Sequence, residues 1–349
     1  MNTIIQKVEK EHPDETVLKQ AGEILKSGGL VAFPTETVYG LGGDGLNARS
    51  SEKIYAAKGR PSDNPLIIHI SDMESLDRIV SYVPEKARKL AEKYWPGPLT
   101  MIFQKSEEVP LETTGGLDSV AVRMPSHKTA RMLIRYGGGY VAAPSANTSG
   151  RPSPTNASHV IEDLNGKVEM ILDGGEVGIG LESTIVDFTE EIPVILRPGY
   201  INQEMLEEVL GQVRMDKGLL ITDTGIRPKA PGMKYRHYAP KAQLTIIEGN
   251  TEAVVQEINR RCQDGEAAGL RAGVIGTDET VSAYHAQVVK SIGTRQDEES
   301  IARHLFGILR EFDEEKVDMI FSESFETPRM GQAIMNRLLK AAGHHIIKV

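Results

Sequence analysis

The stretch that decides the fold runs from Pro34 to Asn64 and reads PTETVYGLGGDGLNARSSEKIYAAKGRPSDN. The apolar run Leu30–Phe33 precedes it and follows two glycines, which predicts a buried strand. Hydroxyl side chains on a turn, a loop with four glycines and a short helix, Ser51–Lys58, should follow that strand. The helix ends where Lys58 and Arg60 flank a glycine. Cations on a flexible corner bounded by glycine and proline suit a polyphosphate better than a hydrophobic core.

Around this stretch, apolar strand patterns alternate with helical ones over the first two hundred residues. Predicted strands are Leu30–Phe33, Leu66–Ile70, Leu99–Phe103, Val120–Arg123, Tyr140–Ala143, Met170–Leu172, Thr184–Phe188 and Val194–Leu196. Predicted helices are Pro13–Ser27, Ser51–Lys58, Glu85–Tyr94, Lys128–Tyr136, Asn156–Leu164 and Gln203–Leu210. Several of these strands follow one another without a helix between them. The fold class is therefore α/β with a twisted mixed sheet in the N-terminal domain.

From about Ala242 onward, strands and helices alternate more regularly. The predicted order is strand Gln243–Ile247, helix Glu252–Cys262, strand Gly273–Ile275, helix Glu298–Phe312, strand Asp318–Phe321 and helix Arg329–Ala342. This alternation is typical of a small doubly wound, Rossmann-like α/β domain. The sequence thus predicts a catalytic domain over 1–212, a basic Pro-rich linker or lid over 213–241 and a C-terminal domain over 242–349.

The composition limits the possible functions of the chain. Its 349 residues suit about two domains. The net charge of −9 argues against a dedicated nucleic-acid binder, which needs a basic face. The single cysteine, Cys262, excludes an intramolecular disulfide and a cysteine-cluster metal site, and the sequence shows no other metal site. Without an apolar segment of membrane-spanning length, we expect a cytoplasmic protein that makes no membrane contact.

The segment 225–241, GIRPKAPGMKYRHYAPK, is basic in an otherwise acidic chain. It carries five Lys and Arg residues and no acid, and its prolines forbid a long helix. One interpretation is a stiff, solvated spacer between domains. The other is a segment that covers a charged ligand, which the close grouping of Tyr235, Arg236, His237 and Tyr238 favours.

Several familiar catalytic motifs are missing or poorly placed. Gly40, Gly42 and Gly45 match G-x-G-x-x-G, but they begin several residues after the strand, and a polar segment separates them from the helix. The sequence contains no P-loop, no G-x-S-x-G and no carboxylate pair that stands out as acid and base. Cations, hydroxyls and glycines at strand ends indicate catalysis by positioning and charge neutralisation, as in nucleotidyl transfer.

Polar residues at strand ends are the candidates for ligand binding, and each has a structural alternative. Thr37 either belongs to a simple hydroxyl turn or contacts a small polar substrate. His69 is either a satisfied core histidine or a contact for a substrate carboxylate. Arg123 and Arg197 each need an anion, which is either a carboxylate of the chain or one from a ligand.

The loop 143–153, APSANTSGRPS, is a second dense polar segment after a strand. Its small residues allow a ligand to approach the backbone, and its hydroxyl and amide groups suit phosphate or ribose. The alternative is an ordinary surface loop rich in serine and proline.

Eight motifs together resemble the YrdC-type threonylcarbamoyl-AMP synthase family. They are PTETVYGLG, KGRPSDNPL, WPGPLT, VAVRMP, APSANTSGRPSPT, STIVD, ILRPG and, in the linker, APGMKYRHYAPK. The first seven cover roughly residues 14–200. The linker and the α/β tail resemble the long form of the family, which has an extra C-terminal domain.

The resemblance implies a reaction and its participants. L-threonine, bicarbonate or CO2, and ATP with Mg2+ would give L-threonylcarbamoyladenylate and pyrophosphate. This nucleotidyl transfer would feed N6-threonylcarbamoyladenosine formation on tRNA, through a separate transferase complex. No stable direct tRNA binding is expected, and no protein nucleophile is required.

The resemblance also implies residue roles. L-threonine would be held by Thr37, His69, Arg123, Ala143 and Ser183, with Arg123 on its carboxylate. ATP would be held by Lys58, Arg60, Asn64, Ser119, Ser145, Asn147, Ser153, Arg197, Tyr235, Arg236 and His237. Lys58 and Arg60 would also act in catalysis.

Two other functions remain open from the residues. One is an RNA-binding or ribosome-associated module that uses a concave basic face, against which the acidity and the lack of interleaved surface aromatics speak. The other is a carbamoyl-transfer domain that uses carbamoyl phosphate, a role that usually belongs to domains embedded in larger proteins.

Overall fold

The structure is a computed structural model that describes residues 1–216, 229–230, 237–325 and 329–349. The chain forms two compact units, each built on its own sheet. The first unit comprises Met1–Ser149, Ser153–Gly178 and Glu182–Tyr235, and the second comprises Gly150–Pro152, Ile179–Leu181 and Arg236–Val349. The predicted domain limits at 212 and 242 stay a prediction, because much of 213–241 lies outside the described residues.

The first unit is organised around one mixed sheet. Its strands are β1 (Ile4–Lys7), β2 (Val31–Phe33), β3 (Gly40–Asp44), β4 (Ile67–His69), β5 (Leu99–Gln104), β6 (Ser119–Arg123), β7 (Val141–Ala142), β8 (Met170–Asp173), β9 (Thr184–Asp187), β10 (Val194–Arg197) and β11 (Arg214–Met215). Among the described residues their order is β1-β8-β2-β3-β7-β4-β6-β5-β9-β10-β11. Parallel and antiparallel neighbours both occur, for example β4 with β6 and β5 with β6. The prediction of a mixed sheet is confirmed.

The helices described in this unit are α1 (Glu15–Lys26), α2 (Ala48–Lys58), α3 (Leu76–Ile79), α4 (Glu85–Tyr94), α5 (Lys128–Tyr136), α6 (Ala157–Leu164) and α7 (Gln203–Leu210). Four of them, α1, α2, α6 and α7, begin at an Asp or Asn whose side chain accepts from a backbone amide of the first turn. Helix α2 begins three residues before the prediction because the side chain of Asn47 accepts from the Arg49 amide and caps it. It ends at Gly59, whose φ of 61° is the left-handed conformation that glycine adopts without strain.

The predicted four-glycine loop is wrong, because most of it forms strand β3. This strand pairs antiparallel with β2 and with β7. A Cβ at Gly42 would lie 2.8 Å from the side chain of Val141 and 2.9 Å from that of Phe33. The glycines therefore let neighbouring side chains pack closely against this strand, which a strand pattern based on apolar alternation does not detect.

Alternation along the central strands gives the sheet two different faces. One face, with Met101, Val122 and Val186, packs in a hydrophobic core with Leu90 of α4 and Leu206 of α7. The alternate residues of these strands face the other way and form a smaller apolar cluster, which we call the apolar floor. Its members on the strands are Ile67, Ile102, Ala121, Ile185, Val194 and Leu196. Because side chains alternate along a strand, His69 shares the floor's face with Ile67, and Arg123 shares it with Ala121.

The second unit is a parallel α/β domain. Its elements are β12 (Gln243–Glu248), α8 (Thr251–Ala267), β13 (Ala272–Gly276), a 3-10 turn (Val281–Ala283), β14 (Val288–Ser291), α9 (Glu298–Glu315), β15 (Met319–Glu323), α10 (Gly331–Ala341) and β16 (Ile346–Lys348). In its described residues every strand pair is parallel and the order is β14-β13-β15-β12-β16. The prediction of a Rossmann-like pattern is confirmed, although the short strands β14 and β16 were not predicted.

No helix in the described ranges combines the length and the apolar character that crossing a membrane requires.

Two helical glycines should respond to alanine in opposite directions. A Cβ at Gly22 in α1 would lie 2.6 Å from the Tyr136 carbonyl carbon at the end of α5, whereas a Cβ at Gly307 in α9 would meet no atom within 4 Å. We expect Gly22→Ala to lower the free energy of unfolding by ~1–3 kcal/mol through overpacking. Gly307→Ala, the matched control, should raise it by up to ~1 kcal/mol because alanine favours the helix. Scanning calorimetry measures both, and a higher Tm for Gly22→Ala would contradict the close packing of α1 on α5.

Candidate active site

Arg123 lies at the centre of a buried polar group at the end of β6. Its Nη1 donates to Thr37 Oγ1 at 2.9 Å, and its Nη2 donates to Glu36 Oε1 at 2.6 Å. Its Nε lies 3.4 Å from the carbonyl oxygen of Gly97. The side chains of Arg123 and Glu36 are only 5% and 14% exposed. The anion that Arg123 was expected to require is therefore a carboxylate of the chain itself.

Glu36 is a charged carboxylate with one unused oxygen. Burial alone would raise the pKa of Glu36, but the charge and the hydrogen bond of Arg123 outweigh burial and hold this pKa below its usual range. The backbone amides of Glu36 and Ser126 act in the same direction. Even so, Oε2 is buried and has no partner at hydrogen-bond geometry among the described residues.

His69 stands beside Arg123 because the two residues are paired between the parallel strands β4 and β6. Its Nδ1 lies 3.1 Å from the carbonyl oxygen of Ile67, a contact that places a proton on Nδ1. Burial, helped by the positive charge of Arg123, lowers the pKa of His69 to about 3. The imidazole is therefore neutral at physiological pH, and with its proton on Nδ1 the Nε2 atom is an acceptor, which suits a hydroxyl or ammonium donor of a ligand and not a carboxylate.

The remaining threonine candidates surround this group. Thr37 Oγ1 lies 2.9 Å from Thr35 Oγ1, and the amides of Thr37 and Val38 donate to Thr35 Oγ1, so the predicted hydroxyl turn also exists. The amide of Ala143 donates to the Ile67 carbonyl at 2.9 Å. Ser183 Oγ lies 2.7 Å from Thr100 Oγ1.

Strand register joins these contacts into one region. Thr100 is the residue of β5 that pairs with Arg123 of β6. Through Thr100, Ser183 lies next to the group formed by Arg123, Thr37 and His69. The structure thus brings the predicted threonine residues together in one part of the first unit; their role stays a prediction.

Lys58 does not lie on a flexible surface corner, contrary to the expectation. It is 1% exposed, and its Nζ donates to the carbonyl oxygens of Ser145, at 2.5 Å, and of Asn147. The ammonium group is thereby held against the polar loop that follows β7. Backbone carbonyls surround it because a buried ammonium must be hydrogen-bonded.

Arg60 is also buried, at 8% exposed, rather than solvated. Its Nε and Nη2 donate to the carbonyl oxygens of Asn64 and Pro65 at 3.3 and 3.1 Å. Asn64 Oδ1 is buried and lacks a hydrogen-bond partner in the part of the chain that the structure describes. Pro61 and Pro65 restrict the backbone here, so the corner is a fixed polar lining.

The other ATP candidates divide into small contact groups. Ser145 Oγ donates to Asn147 Oδ1 at 2.5 Å, and Ser153 Oγ donates to Glu182 Oε1 at 2.5 Å. Arg197 donates to the carbonyl oxygen and to Oγ of Ser183, at 2.9 and 3.1 Å, so it adjoins the threonine candidates.

Four predicted ATP residues need separate mention. Ser119 begins β6, four residues before Arg123 on the same face of the sheet. Tyr235 and Arg236 lie outside the described residues. His237 is described and buried, and it belongs to the second unit. The role of these residues as ATP ligands stays a prediction.

Two described residues of the predicted linker, Lys229 and Ala230, contact the sheet of the first unit. Lys229 Nζ lies 3.1 Å from both Asp187 Oδ2 and Glu190 Oε1. Ala230 is fully buried in the apolar floor, beside residues such as Ile185. This part of the linker therefore lies on the same face of the sheet as His69 and Arg123.

Sequence reasoning missed four polar residues of this region. They are Glu36, Thr100, Glu182 and Asp187. Glu36 had a usable signal, since it is a carboxylate between two threonines directly after a buried strand. Asp187 shares the floor's face with Ile185 by strand alternation, which also could have revealed it.

Comparison with known proteins identifies the class. The Sua5/YciO/YrdC family model, described as "Telomere recombination", matches residues 23–199. A second model, "Threonylcarbamoyl-AMP synthase, C-terminal domain", matches residues 201–343. The chain therefore belongs to this family and has the long form with both domains.

Full-length relatives agree with the family models. The threonylcarbamoyl-AMP synthase of Bacillus subtilis is 49% identical over 95% of this chain and 94% of its own length. That of Pyrococcus abyssi is 48% identical over 97% of this chain and 98% of its own. The crystal structure of P. abyssi Sua5 complexed with L-threonine matches with a TM-score of 0.94 and 47% identity, over 99% of this chain and 100% of that one. The predictions of family, fold class and adenylate-forming enzyme are confirmed.

Removal of His69 should change how stability depends on pH. The folded protein keeps His69 neutral down to about pH 3, whereas the unfolded chain binds a proton below about pH 6.5. This residue therefore makes the free energy of unfolding fall by about 1.4 kcal/mol per pH unit on acidification below that value. In His69→Asn the decrease should be shallower by this amount. Urea unfolding of both proteins between about pH 5 and pH 7.5 measures it, and identical slopes would show that His69 is protonated in the folded state.

Proposed function

We propose that this protein joins L-threonine, bicarbonate or CO2, and ATP to give L-threonylcarbamoyladenylate and pyrophosphate. The observation that supports this best is the grouping of two buried arginines around Ser183. Arg197 contacts Ser183 directly, and Arg123 pairs across the sheet with Thr100, whose hydroxyl also contacts Ser183. The carbamate formed from threonine and the phosphates of ATP are both anionic, so a region that brings them together needs cations of this kind.

The reaction can proceed without a protein nucleophile. The threonine amine forms a C–N bond to CO2 and loses a proton, which gives a carbamate. A carbamate oxygen then attacks the α-phosphorus of ATP as the bond to pyrophosphate breaks. Arg123 would hold the threonine carboxylate, and Thr37, His69, Ala143 and Ser183 would surround the amino acid. The contribution of the chain is positioning and charge neutralisation.

The phosphates would lie against the two cations at the C-terminal end of α2 and the polar loop after β7. We assign Lys58 and Arg60 to the charge that develops during transfer. Asn64, Ser119, Ser145, Asn147, Ser153 and Arg197 would hold the rest of the nucleotide. Asn64 Oδ1, a buried acceptor without a partner in the described residues, suits a donor of the ligand.

Mg2+ would enter with the nucleotide. The described residues contain no group of three or more His, Cys, Asp and Glu side chains that could hold a metal ion. The phosphate oxygens and water suit Mg2+ as ligands, and its chemistry there would be neutralisation of phosphate charge.

We further propose that the linker covers the nucleotide, with Tyr235, Arg236 and His237 nearest to it. In support, Lys229 and Ala230 already lie on the face of the sheet that carries Arg123. The product would pass to a tRNA threonylcarbamoyl-transferase complex in the cytoplasm. Stable tRNA binding is not expected for a chain of net charge −9.

Pyrophosphate release tests the reaction directly. With ATP and Mg2+ present, release should require both threonine and bicarbonate, because the carbamate is the attacking group. Each component is omitted in turn, and the adenylate is identified by mass spectrometry. Release that does not depend on threonine would contradict the proposed substrate.

Two arginine variants in the same pyrophosphate assay test the residue assignment. Arg60→Ala should reduce turnover by at least ~100-fold if Arg60 stabilises the developing phosphate charge. Arg49→Ala, at an exposed position of α2, should leave turnover unchanged. Because Arg60 is buried, circular dichroism must first show that the variant is folded.

The role of the linker is tested by removing the ion pairs that Lys229 makes with Asp187 and Glu190. The Lys229 side chain is 43% exposed, but its partner Asp187 is fully buried, so Lys229→Ala should lower the free energy of unfolding by ~1–3 kcal/mol, and circular dichroism must first show that the variant is folded. If the linker covers the nucleotide, the KM for ATP should rise by about threefold or more. Arg214→Ala is the matched control, because Arg214 pairs with the same Glu190 from β11. Equal KM values in the two variants would indicate a spacer.

A further inference from the structure

Glu36 is the one carboxylate in contact with Arg123 among the described residues, and one of its two carboxylate oxygens has no hydrogen-bond partner there. Oε1 accepts from Arg123 at 2.6 Å, whereas Oε2 is buried and has no partner in the described chain. A buried carboxylate oxygen without a hydrogen bond is costly, because water no longer solvates its charge. Such an atom beside a binding region suits a donor that arrives with a ligand.

Arg123 is the cation that contacts Glu36 in the described residues. Arg123 is already engaged, and it makes three of its five possible N–H contacts with Thr37, Glu36 and Gly97. Within the described residues two N–H groups of Arg123 stay available. Burial lowers the pKa of the nearby His127, which keeps that ring from supplying a second positive charge. His69 is neutral as well, since its pKa is about 3.

The resulting charge pattern is complementary to a zwitterion. Arg123 and Glu36 form one buried pair with no net charge, and each has unused hydrogen-bonding capacity. In an α-amino acid one carbon atom joins the carboxylate to the ammonium group, so the two charges lie as close together as those of this pair. A neutral ligand with adjacent opposite charges can enter without leaving an unpaired buried charge.

We propose that Glu36 Oε2 binds the α-ammonium group of the amino-acid substrate, while Arg123 binds its carboxylate. The inference rests on the proposed function only for the identity of the amino acid as threonine. Glu36 thereby makes the site select zwitterionic amino acids over hydroxy acids of the same shape. It also fixes the position of the nitrogen, which must lose a proton before it forms the C–N bond.

Calorimetric binding with two ligands tests this role. L-threonine carries the ammonium group, and 2,3-dihydroxybutanoate of the same stereochemistry has a hydroxyl in its place. Wild type should bind threonine at least about tenfold more tightly than this analogue. This comparison needs no variant, and equal affinities would overturn the proposal.

The substitution Glu36→Gln removes the negative charge of the side chain and keeps its shape. We expect it to weaken threonine binding at least about tenfold and to change analogue binding less than about threefold, because the glutamine amide oxygen can still accept from Arg123 while the negative charge that faces the ammonium group is lost. Glu36→Asp, which keeps the charge, should restore part of the threonine affinity. Glu92→Gln, at an exposed position of α4, is the control and should alter neither ligand.

The other outcomes are also decisive. Equal losses for both ligands would mean that Glu36 only orients Arg123. Unchanged threonine binding would mean that Glu36 makes no contact that contributes to affinity, and tighter binding would mean that it occupies the place of the substrate carboxylate. Either result overturns the proposal. If wild type binds a different L-amino acid and not threonine, the proposed function fails, and the comparison with that amino acid still tests Glu36. Binding of no amino acid would contradict both.

Discussion

The buried ion pair between Arg123 and Glu36 is the constraint on which the rest of the site depends. Neither charge is stable in the interior without its partner, since the loss of one would leave the other desolvated. The pair joins the end of β6 to the turn after β2, and Thr37 adds a second contact to the same guanidinium. One interaction therefore fixes both the quoted stretch and the strand beside it.

The second constraint is the alternation of side chains along the central strands. Apolar residues on one face build the main core with α4 and α7, and smaller apolar residues on the other face form the floor. Polar residues occur at the strand ends of that second face, where His69, Arg123 and Ser183 lie. A polar cluster can be buried there because the floor excludes water while the strand ends still offer backbone partners. This arrangement suits a reaction that depends on held charges and not on a protein nucleophile.

The glycines of the first unit serve packing as much as flexibility. Gly42 lies within a strand, where any side chain would collide with Val141 and Phe33. Gly59 has a left-handed backbone at the end of α2, between Lys58 and Arg60. This turn lets the two cations leave the helix in different directions, toward the loop after β7 and toward Asn64. A larger residue at Gly59 would strain the backbone that separates them.

The sequence by itself determined the α/β class, the helices from α4 to α7 nearly to the residue, the order of the elements and the family. These follow from local periodicity, capping residues and long motifs, which need no knowledge of contacts distant in the chain. Only the tertiary structure decided that the glycine run is a strand, that Lys58 and Arg60 are buried, and that Glu36 is the partner of Arg123. The physical reason is that burial and ion pairing depend on residues far apart in sequence. Glu36 and Arg123 are 87 positions apart, and the pairing of β4 with β6 places the second of them beside His69.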